Sequence, residues 1–216
     1  MKQLKMNLVT YEITPLSSMS GYIELLNQFS SLDQIGDRTQ NFLIDYFGQY
    51  LAHDAREIFR KSTVSYSVAG YLLQFKDRHN GNIMLNNQGQ IAHIDFGFFF
   101  ESAPGGAFSI ERSPFKMSEQ FLQIIGGKDS IGYEQFKHEF RQEMIKCQFL
   151  KSQLVKMFNL ILGLIPGVKS YEGIHKFQNR FTDNVQHCEK LVEDSISSFG
   201  SGLYDAFQAL QNDINW

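Results

Sequence analysis

The spacing of apolar and polar residues changes along the chain and divides it into regions. At the start, the short runs Leu8–Ile13 and Tyr22–Leu26 predict two strands joined by the turn-like segment PLSSMSG. Beyond them, apolar positions recur at helical intervals and predict a helix over Asn41–Phe47 and a long one over Asp54–Phe75. The long helix has this apolar series: Ile58, Val68, Tyr71, Leu72 and Phe75.

The middle of the chain has the pattern of a β-hairpin. The apolar runs Asn82–Leu85 and Ile91–Ile94 are separated by NNQGQ, in which the glycine suits a tight turn. Residues 98–115 then form an irregular stretch that is rich in Ser, Gly and Pro. We therefore expect one hairpin followed by a long loop.

Past that loop the pattern is helical almost to the end. Ser118 suits an N-cap, and Gly126 with Gly127 would end the helix that it begins. Because Phe149–Leu164 is apolar on nearly every face, we expect it to be the central helix. The predicted fold class is mainly α with a small β-hairpin, with further helices at Tyr133–Cys147, Phe149–Leu164, Asp183–Ser197 and Leu203–Asn212.

Composition and charge narrow the class of protein. The 216 residues are 43% hydrophobic and 20% charged, which indicates a globular domain, and a net charge of −3 provides no basic field for nucleic acid. Two cysteines are typical of a reduced intracellular protein. The longest apolar stretch, Met157–Val168, is broken by Pro166 and too short to span a bilayer, and the first residues lack a signal-peptide core. We expect a soluble, cytoplasmic protein.

Four side chains around the predicted hairpin have the chemistry of phosphoryl transfer. Asp77, His79 and Asn82 lie on one loop, and Asp95 follows the second strand in HIDFG. A hairpin returns the end of its second strand to the start of its first, so Asn82 and Asp95 can face one divalent ion, and Mg²⁺ prefers such oxygen donors. The imidazole of His79 suits acid–base catalysis. Each residue alone is commonplace; the ordered set carries the prediction.

The runs DRHNGN (77–82) and HIDFG (93–97) resemble the phosphatidylinositol 3-/4-kinase superfamily, whereas ordinary protein kinases read H-R-D in this loop. The segments SVAGYLLQFKDRHNGNIML, FGFFFESAPGG and FKMSEQFLQIIGG look closest to type III phosphatidylinositol 4-kinases. The terminal LYDAFQALQNDINW resembles the last helix of that group. The similarity covers nearly the whole chain, although over residues 127–200 it rests on pattern more than on motif.

The resemblance implies the C-lobe of a protein-kinase-like fold. Residues 1–26 would be the last N-lobe strands and the hinge, and 27–216 the C-lobe, with the catalytic loop at 76–85, the DFG motif and activation loop at 95–115 and C-terminal helices at 118–216. No glycine-rich phosphate loop or strand lysine precedes the hinge. We therefore expect most of the N-lobe to be absent, and weak ATP affinity and negligible turnover for this polypeptide alone.

The resemblance also assigns roles to single residues. It makes Asn82 and Asp95 the ligands of Mg²⁺ or Mn²⁺, and it makes Asp77 and His79 the pair that engages the inositol hydroxyl and the transferring phosphate. Arg78 matches a structural position that packs the loop. The adenine of ATP is assigned to the hinge and to two apolar residues beneath the base: Glu24, Leu25, Leu26, Met84 and Ile94.

The charge of the segment after HIDFG indicates the lipid. Residues 98–115 contain one base, Arg112, opposed by Glu101 and Glu111. A headgroup that already carries phosphates needs several cationic donors, so this segment is compatible with unphosphorylated phosphatidylinositol. The 4-hydroxyl is assigned from the resemblance alone, since 3-kinases act on the same lipid.

A lipid substrate requires contact with a membrane. Phe98–Phe100, Phe108 and Trp216 are candidates for shallow insertion, although Phe98–Phe100 also suit a core. The scattered bases of the later helices fit a solvated face better than a lipid-binding one: Lys137, Arg141, Lys146, Lys151 and Lys156. The resemblance implies a peripheral protein at the plasma membrane or at Golgi and endosomal membranes, with regulatory protein partners.

Other interpretations stay open. A Ser/Thr protein kinase of the phosphoinositide-kinase-related group shares these motifs. A non-catalytic lobe fragment could bind a membrane or a partner without chemistry. A small-molecule phosphotransferase shares the metal chemistry, although the order D-R-H counts against it.

Overall fold

The computed structural model describes residues 5–36, 42–49, 53–100, 113–162 and 170–196. Within these ranges the strands are β1 (Ile13–Pro15), β2 (Gly21–Ile23), β3 (Phe29–Ser31), β4 (Ile83–Asn86) and β5 (Ile91–His93). The helices are α1 (Leu32–Ile35), α2 (Phe42–Gln49), α3 (Ala55–Leu73), α4 (Glu119–Ile124), α5 (Ile131–Phe149), α6 (Lys151–Leu162), α7 (Ser170–Arg180) and α8 (Val185–Ile196), and a short 3₁₀ helix, Asn80–Asn82, precedes β4. The predicted mainly α fold class is confirmed. The described helices include none that is long and apolar enough to cross a bilayer.

Helix α3 is the axis of the molecule. It packs against α5, α7 and β5, and almost all of its last three turns are buried. Small residues on several of its faces allow these neighbours to approach closely: Ser62, Ser65, Ser67, Ala69 and Gly70. The burial of the Phe59 and Val68 side chains is complete, so α3 is the element around which the core is built.

The prediction that Phe149–Leu164 is the central helix is wrong. The corresponding helix α6 is fully buried only at Leu162, and the Leu160 side chain is 74% exposed. An all-round apolar pattern indicates burial only where neighbours cover every face. Here α7 and α5 cover one side of α6 and leave the other at the surface.

The predicted hairpin is confirmed and carries a third strand. Strands β4 and β5 pair antiparallel with Leu85 opposite Ile91, and β3, which the sequence pattern did not predict, pairs with the other edge of β4. Gly89 turns the hairpin at φ +88°, and a Cβ at this position would lie 2.2 Å from the Ala55 carbonyl oxygen. The turn therefore needs glycine because it presses against the start of α3.

The first predicted strand, Leu8–Ile13, is wrong over most of its length. The backbone of this segment bonds to side chains of α3 instead: the Asn7 amide donates to Ser65 Oγ at 2.8 Å, and the Tyr66 hydroxyl donates to the Val9 carbonyl at 3.2 Å. Pairing begins only at Ile13, opposite Ile23, in a two-stranded hairpin of β1 and β2 whose residues are all exposed.

A side-chain cap and two glycines fix where helix α4 begins and ends. Ser118 Oγ accepts the Phe121 amide at 3.2 Å and begins α4, as predicted, and Gly126 and Gly127 follow its end with φ of +111° and +85°. Helix α7 was not predicted, because its largely polar sequence carries few apolar residues, chiefly Ile174 and Phe177. The predicted helix over Leu203–Asn212 lies outside the described residues.

Candidate active site

A left-handed backbone marks the segments predicted to do chemistry. Among the described residues, the non-glycine residues with positive φ are Gln74, Asp77, Asp95 and Phe100, at 54°, 63°, 52° and 50°. Such conformations are unfavourable for most side chains, are better tolerated by aspartate, and persist only where surrounding contacts hold them. All four flank the loop after α3 or the segment after β5.

The Arg78 guanidinium joins these two segments. Its side chain is among the largest fully buried ones, and Nε donates to the Lys76 carbonyl at 2.8 Å. One terminal nitrogen donates to the Ile94 carbonyl at 2.7 Å and the other donates to the Asp95 carbonyl. The guanidinium carbon also lies 5.4 Å from the centre of the Phe96 ring. A buried cation thus finds carbonyl acceptors on both segments and fixes their spacing.

Asp77, His79 and Asn82 form one cluster beside this arginine. Asn82 Nδ2 donates to the Asp77 carbonyl at 2.9 Å and lies 3.1 Å from His79 Nε2. His79 Nδ1 accepts the Gly81 amide at 3.1 Å, and Nε2 is 3.9 Å from Asp77 Oδ2. Because Nδ1 accepts a hydrogen bond, Nε2 is the nitrogen that carries the hydrogen in a neutral imidazole.

Asp95 follows the end of β5 and lies on a segment next to the cluster of Asp77, His79 and Asn82. The Ile94 amide donates to the Asn82 carbonyl at 3.1 Å, so the two backbone segments are neighbours. Asp95 Oδ1 accepts the Gly97 amide at 3.1 Å, which closes a tight turn. A Cβ at Gly97 would lie 3.1 Å from that oxygen, so glycine suits the close approach.

Asn82 and Asp95 are the residues here that could hold a metal ion. The described residues contain no cluster of three His, Cys, Asp or Glu side chains with metal-ligand spacing. An amide oxygen and a carboxylate are nevertheless the kind of donors that Mg²⁺ takes, because it completes its octahedron with phosphate oxygens and water. Asn82 engages its neighbours through Nδ2, which leaves Oδ1 without a donor among the described residues.

Met84 and Ile94, predicted beneath the adenine, share one face of the sheet with Asn82. Met84 lies opposite Ala92, and the pairing of Ile83 with His93 sets Asn82 beside Ile94. Because side chains alternate along strands, these positions point away from the face of Ile83 and Leu85, which is buried. Met84 and Ile94 are half-buried, so they form an accessible apolar surface next to Asn82.

The predicted hinge residues connect β2 to β3. Glu24 is fixed by two contacts: its amide donates to the Glu12 carbonyl at 2.8 Å, and its Oε2 accepts the Glu12 amide at 2.8 Å. Leu25 is 78% exposed, and Leu26 is half-buried. The segment leads into β3, whose Ser31 pairs with Met84, and this connection attaches the predicted hinge to the edge of the sheet.

Tyr11 was not singled out by sequence reasoning, yet charges of the candidate site act on its hydroxyl. Burial raises the pKa of its hydroxyl, and the charges of Arg78 and Asp95 act on the same group, the first lowering and the second raising its pKa. A strand-like pattern gave no indication of this position, because it depends on where residues 7–11 cross α3.

A small cavity of about 10 Å³ lies behind the site, bordered by Arg78 and His93. Burial holds the pKa of His93 well below its ordinary value, and the positive charges of Arg78 and Lys116 act in the same direction. The ring stacks on Tyr66 with centroids 4.1 Å apart. His93 Nδ1 has no hydrogen-bond partner among the described residues, so the histidine is a neutral core residue.

The segment after Asp95 is anchored by Phe100. Its amide donates to the Leu73 carbonyl at 2.8 Å, and its ring is 3% exposed. The ring stacks on Phe158 at 5.7 Å and packs on Phe177 at 5.5 Å. The suggestion that Phe100 inserts into a membrane is therefore wrong, because it is a core residue, whereas Phe98 is 38% exposed.

Several residues considered above for lipid contact lie outside the described residues, namely Glu101, Phe108, Glu111, Arg112 and Trp216. Of the helix bases, Lys137 pairs with Glu134 at 2.7 Å and Lys146 pairs with Glu143 at 2.6 Å. These pairs are typical of a solvated helix face, as expected for them.

Comparisons with known proteins agree with this geometry. The family described as phosphatidylinositol 3- and 4-kinase matches residues 38–162. The chain is 33% identical to phosphatidylinositol 4-kinase stt4 of Schizosaccharomyces pombe over 98% of its own length and 12% of that protein. It is 34% identical to phosphatidylinositol 4-kinase STT4 of Saccharomyces cerevisiae over 94% of its length and 12% of that protein. It is 32% identical to phosphatidylinositol 4-kinase beta of Danio rerio over 94% of its length and 26% of that protein.

The chain thus spans about an eighth to a quarter of the length of these relatives. The matched region contains α2 to α6 and, with them, the loop of Asp77 and the segment of Asp95. Motif, fold and similarity agree, and the chain belongs to the phosphatidylinositol 3- and 4-kinase family.

Proposed function

We propose that this chain forms the hinge and C-lobe of a phosphatidylinositol 4-kinase, which transfers the γ-phosphate of ATP to the 4-hydroxyl of phosphatidylinositol. The observation that supports this most strongly is the cluster of Asp77, His79 and Asn82, which Arg78 ties to Asp95. Phosphoryl transfer depends mainly on positioning and on electrostatic stabilisation, and a rigid cluster of this composition can supply both.

Within this proposal, Asn82 and Asp95 hold Mg²⁺ or Mn²⁺, which neutralises charge on the phosphates when bound. Asp77 and His79 engage the acceptor hydroxyl and the transferring phosphate. Asp77 Oδ2 and His79 Nε2 are 3.9 Å apart, so one hydroxyl group could reach both. The Asp77 carboxylate suits the acceptance of the hydroxyl proton, and the Nε2–H of His79 suits donation to the transferring phosphate.

For ATP, we propose that residues 1–26 contribute the last N-lobe strands and the hinge, and that 27–216 form the C-lobe. The backbone of Glu24, Leu25 and Leu26 would bind the adenine. Met84 and Ile94 would lie beneath the base, which is consistent with their position beside Asn82. Both are half-buried apolar side chains, a surface that suits an aromatic base.

The choice of lipid rests on the relatives and on charge. The similar proteins named above are phosphatidylinositol 4-kinases. The acid-leaning segment 98–115 fits a headgroup without phosphates. We propose a peripheral, cytoplasmic location at a membrane, with regulatory protein partners.

The test is a chimera, because the chain corresponds to a small part of its relatives. Residues 1–216 replace the aligned segment of the Saccharomyces cerevisiae relative, and the purified chimera is assayed with ATP, Mg²⁺ and phosphatidylinositol vesicles. We expect phosphatidylinositol 4-phosphate, identified by separating the positional isomers. Phosphorylation at the 3-position, or of peptides but not lipid, would overturn the assignment.

Matched Asp→Asn variants of the chimera separate the site from the scaffold. Asp77→Asn and Asp95→Asn should each lower turnover by at least about a hundredfold, since each removes a charge from the reacting centre. Asp129→Asn, in an exposed turn between α4 and α5, should leave turnover unchanged. Equal effects of all three substitutions would show that the cluster has no special role.

A further inference from the structure

Helix α6 has two apolar faces, and only one of them is buried. Its inner face carries Phe158, which packs on Phe177 with centroids 4.8 Å apart, and Leu162, which is 1% exposed. Its outer face carries Met157, Leu160 and Ile161, which are 47%, 74% and 43% exposed. Packing in the core explains why the inner face is apolar. It does not explain why the outer face is apolar.

The outer side chains form one patch. At 3.6 residues per turn, positions 153, 156, 157, 160 and 161 lie on the same side of the helix, opposite 154, 155, 158 and 162, and of these Gln153 and Lys156 are the polar ones. Phe149, the last residue of α5, is 88% exposed just before α6 begins. We call Lys156, Met157, Leu160 and Ile161 the outer face of α6. Contiguous exposed apolar surface of this kind marks a site of association.

The charge around the patch indicates that its partner is anionic. Residues 149–162 contain two lysines and no acidic residue. Lys156 is exposed within the outer face and makes no ion pair with a described residue. A lysine beside exposed apolar groups can place its ammonium among anionic headgroups while its neighbours enter the acyl boundary.

We infer that the outer face of α6 docks this protein on an anionic bilayer surface. The inference rests on the proposed function in one respect, since a kinase of a membrane lipid must be held at the bilayer. The basic and apolar residues of the face support it independently.

The outer face of α6 is connected to the candidate site through side-chain contacts on the other side of the helix. On the opposite side of α6, Phe158 stacks on Phe100 with the two rings 8° from parallel. Phe100 in turn fixes the segment that follows Asp95, through its bond to the Leu73 carbonyl. Docking through α6 would therefore hold the helix that supports this segment.

The experiment measures co-sedimentation of the full chain with vesicles of phosphatidylcholine and phosphatidylserine, without phosphatidylinositol or ATP. We expect binding, and Leu160→Ser should weaken it about tenfold, the effect of losing one large buried apolar side chain. Lys156→Gln should weaken binding to these vesicles but not to neutral ones. Raising the ionic strength to about 1 M, where charges are screened within about 3 Å, should abolish the difference between Lys156→Gln and the unsubstituted chain.

Leu16→Ser is the matched control, because Leu16 is 59% exposed in the connection between β1 and β2 and is not part of α6. It should leave vesicle binding unchanged, and thermal unfolding should confirm that both leucine variants are folded. Absence of binding by the unsubstituted chain, or equal losses in the two leucine variants, would overturn the inference. A dimer in solution that Leu160→Ser dissociates would assign the face to a second copy instead.

The result is separable from the proposed function. Vesicle binding that depends on Leu160, together with an inactive chimera, would keep the docking surface and reject the kinase assignment. An active chimera together with vesicle binding that ignores Leu160 would do the reverse.

Discussion

Arg78 is the residue on which the geometry of the candidate site depends most. Its guanidinium reaches three carbonyls, one on the loop after α3 and two at the end of β5. A planar fork with five donors can serve such a set, whereas an ammonium acts as a point charge on a flexible stem. The spacing of Asp77 and Asp95 therefore depends on a buried residue whose guanidinium bonds to backbone carbonyls of both segments.

Arg78→Lys should lower the free energy of unfolding by roughly 3 kcal/mol, because a buried charge and at least one carbonyl lose their partners. Urea unfolding followed by circular dichroism measures this value. Arg141→Lys is the control: Arg141 is half-buried, and its one hydrogen-bond contact with a described residue is weak, 3.4 Å to His138 Nδ1, so its replacement should cost less than about 0.5 kcal/mol. Similar costs for the two variants would mean that the Arg78 fork does not hold the segments together.

His93 should make stability depend on pH. Burial lowers its pKa in the folded protein, so below about pH 6.5 the unfolded chain binds a proton that the folded one refuses. Its contribution is fully present above that pH and falls as the pH decreases, by at most about 1.4 kcal/mol per pH unit. The free energies of unfolding of the unsubstituted chain and of His93→Phe, compared between pH 7.5 and pH 5, measure it. Phenylalanine keeps the stack on Tyr66 and cannot titrate, so the two curves should diverge only on the acidic side; parallel curves would contradict the assignment.

At the scale of elements, the start of the segment after β5 is held by packing between α6 and α7. Phe100 lies between Phe158 and Phe177, and the Arg180 guanidinium lies 5.9 Å from its ring centre. Burial lowers the pKa of Arg180 to about 10, which still leaves it charged at neutral pH, and it donates to the Leu72 carbonyl at 3.0 Å. The Phe100 ring is thus the point where three elements meet: the C-terminus of α3, helix α7 and the segment after β5.

Gly173→Val should disrupt that junction. A Cβ at Gly173 would lie 2.9 Å from Phe100 Cε1, and the ring has no free side toward which it could move. We expect a loss of about 2 kcal/mol from overpacking, measured by urea unfolding. Gly48→Val in α2 is the matched control, because a Cβ there meets no atom within 4 Å and the substitution should be close to neutral. Equal effects would show that Gly173 is chosen for its backbone and not for Phe100.

The presence of most helices and of the hairpin could be predicted from local sequence patterns. What packs around each of these elements could not. Ser118 and the double glycine after α4 act through bonds to near neighbours, so the sequence reveals them. Helix α7 was missed because its few apolar residues are enough once α3 and α6 are in place. The strand predicted over Leu8–Ile13 failed for a related reason, since side chains of α3 take the bonds that a neighbouring strand would need.

At the scale of the whole molecule, one apolar core runs from the sheet through α3 to α8. Both cysteines lie in it and both are 1% exposed. Burial raises the pKa of Cys147 to about 12, and the pKa of Cys188 is also raised. At neutral pH both are protonated thiols without access to solvent, and they should react only when the core opens.

Labelling by a thiol reagent should therefore report unfolding of the whole core. We expect both cysteines to react at least about a thousandfold more slowly in the native chain than in urea, at matching rates. Mass spectrometry of partly labelled protein gives the two rates separately. Fast reaction of Cys188 alone would show that α8 opens independently and would contradict a single cooperative unit.

The sequence by itself determined the fold class and the hairpin, and it predicted Asp77, His79, Asn82 and Asp95 as the candidate set, because these depend on short-range rules and on residues within one stretch of chain. Only the tertiary structure decided that α3 and not α6 is the central helix and that Phe100 is buried. The physical reason is the same in each case: burial and proximity depend on what covers each face, and the covering elements come from distant parts of the chain.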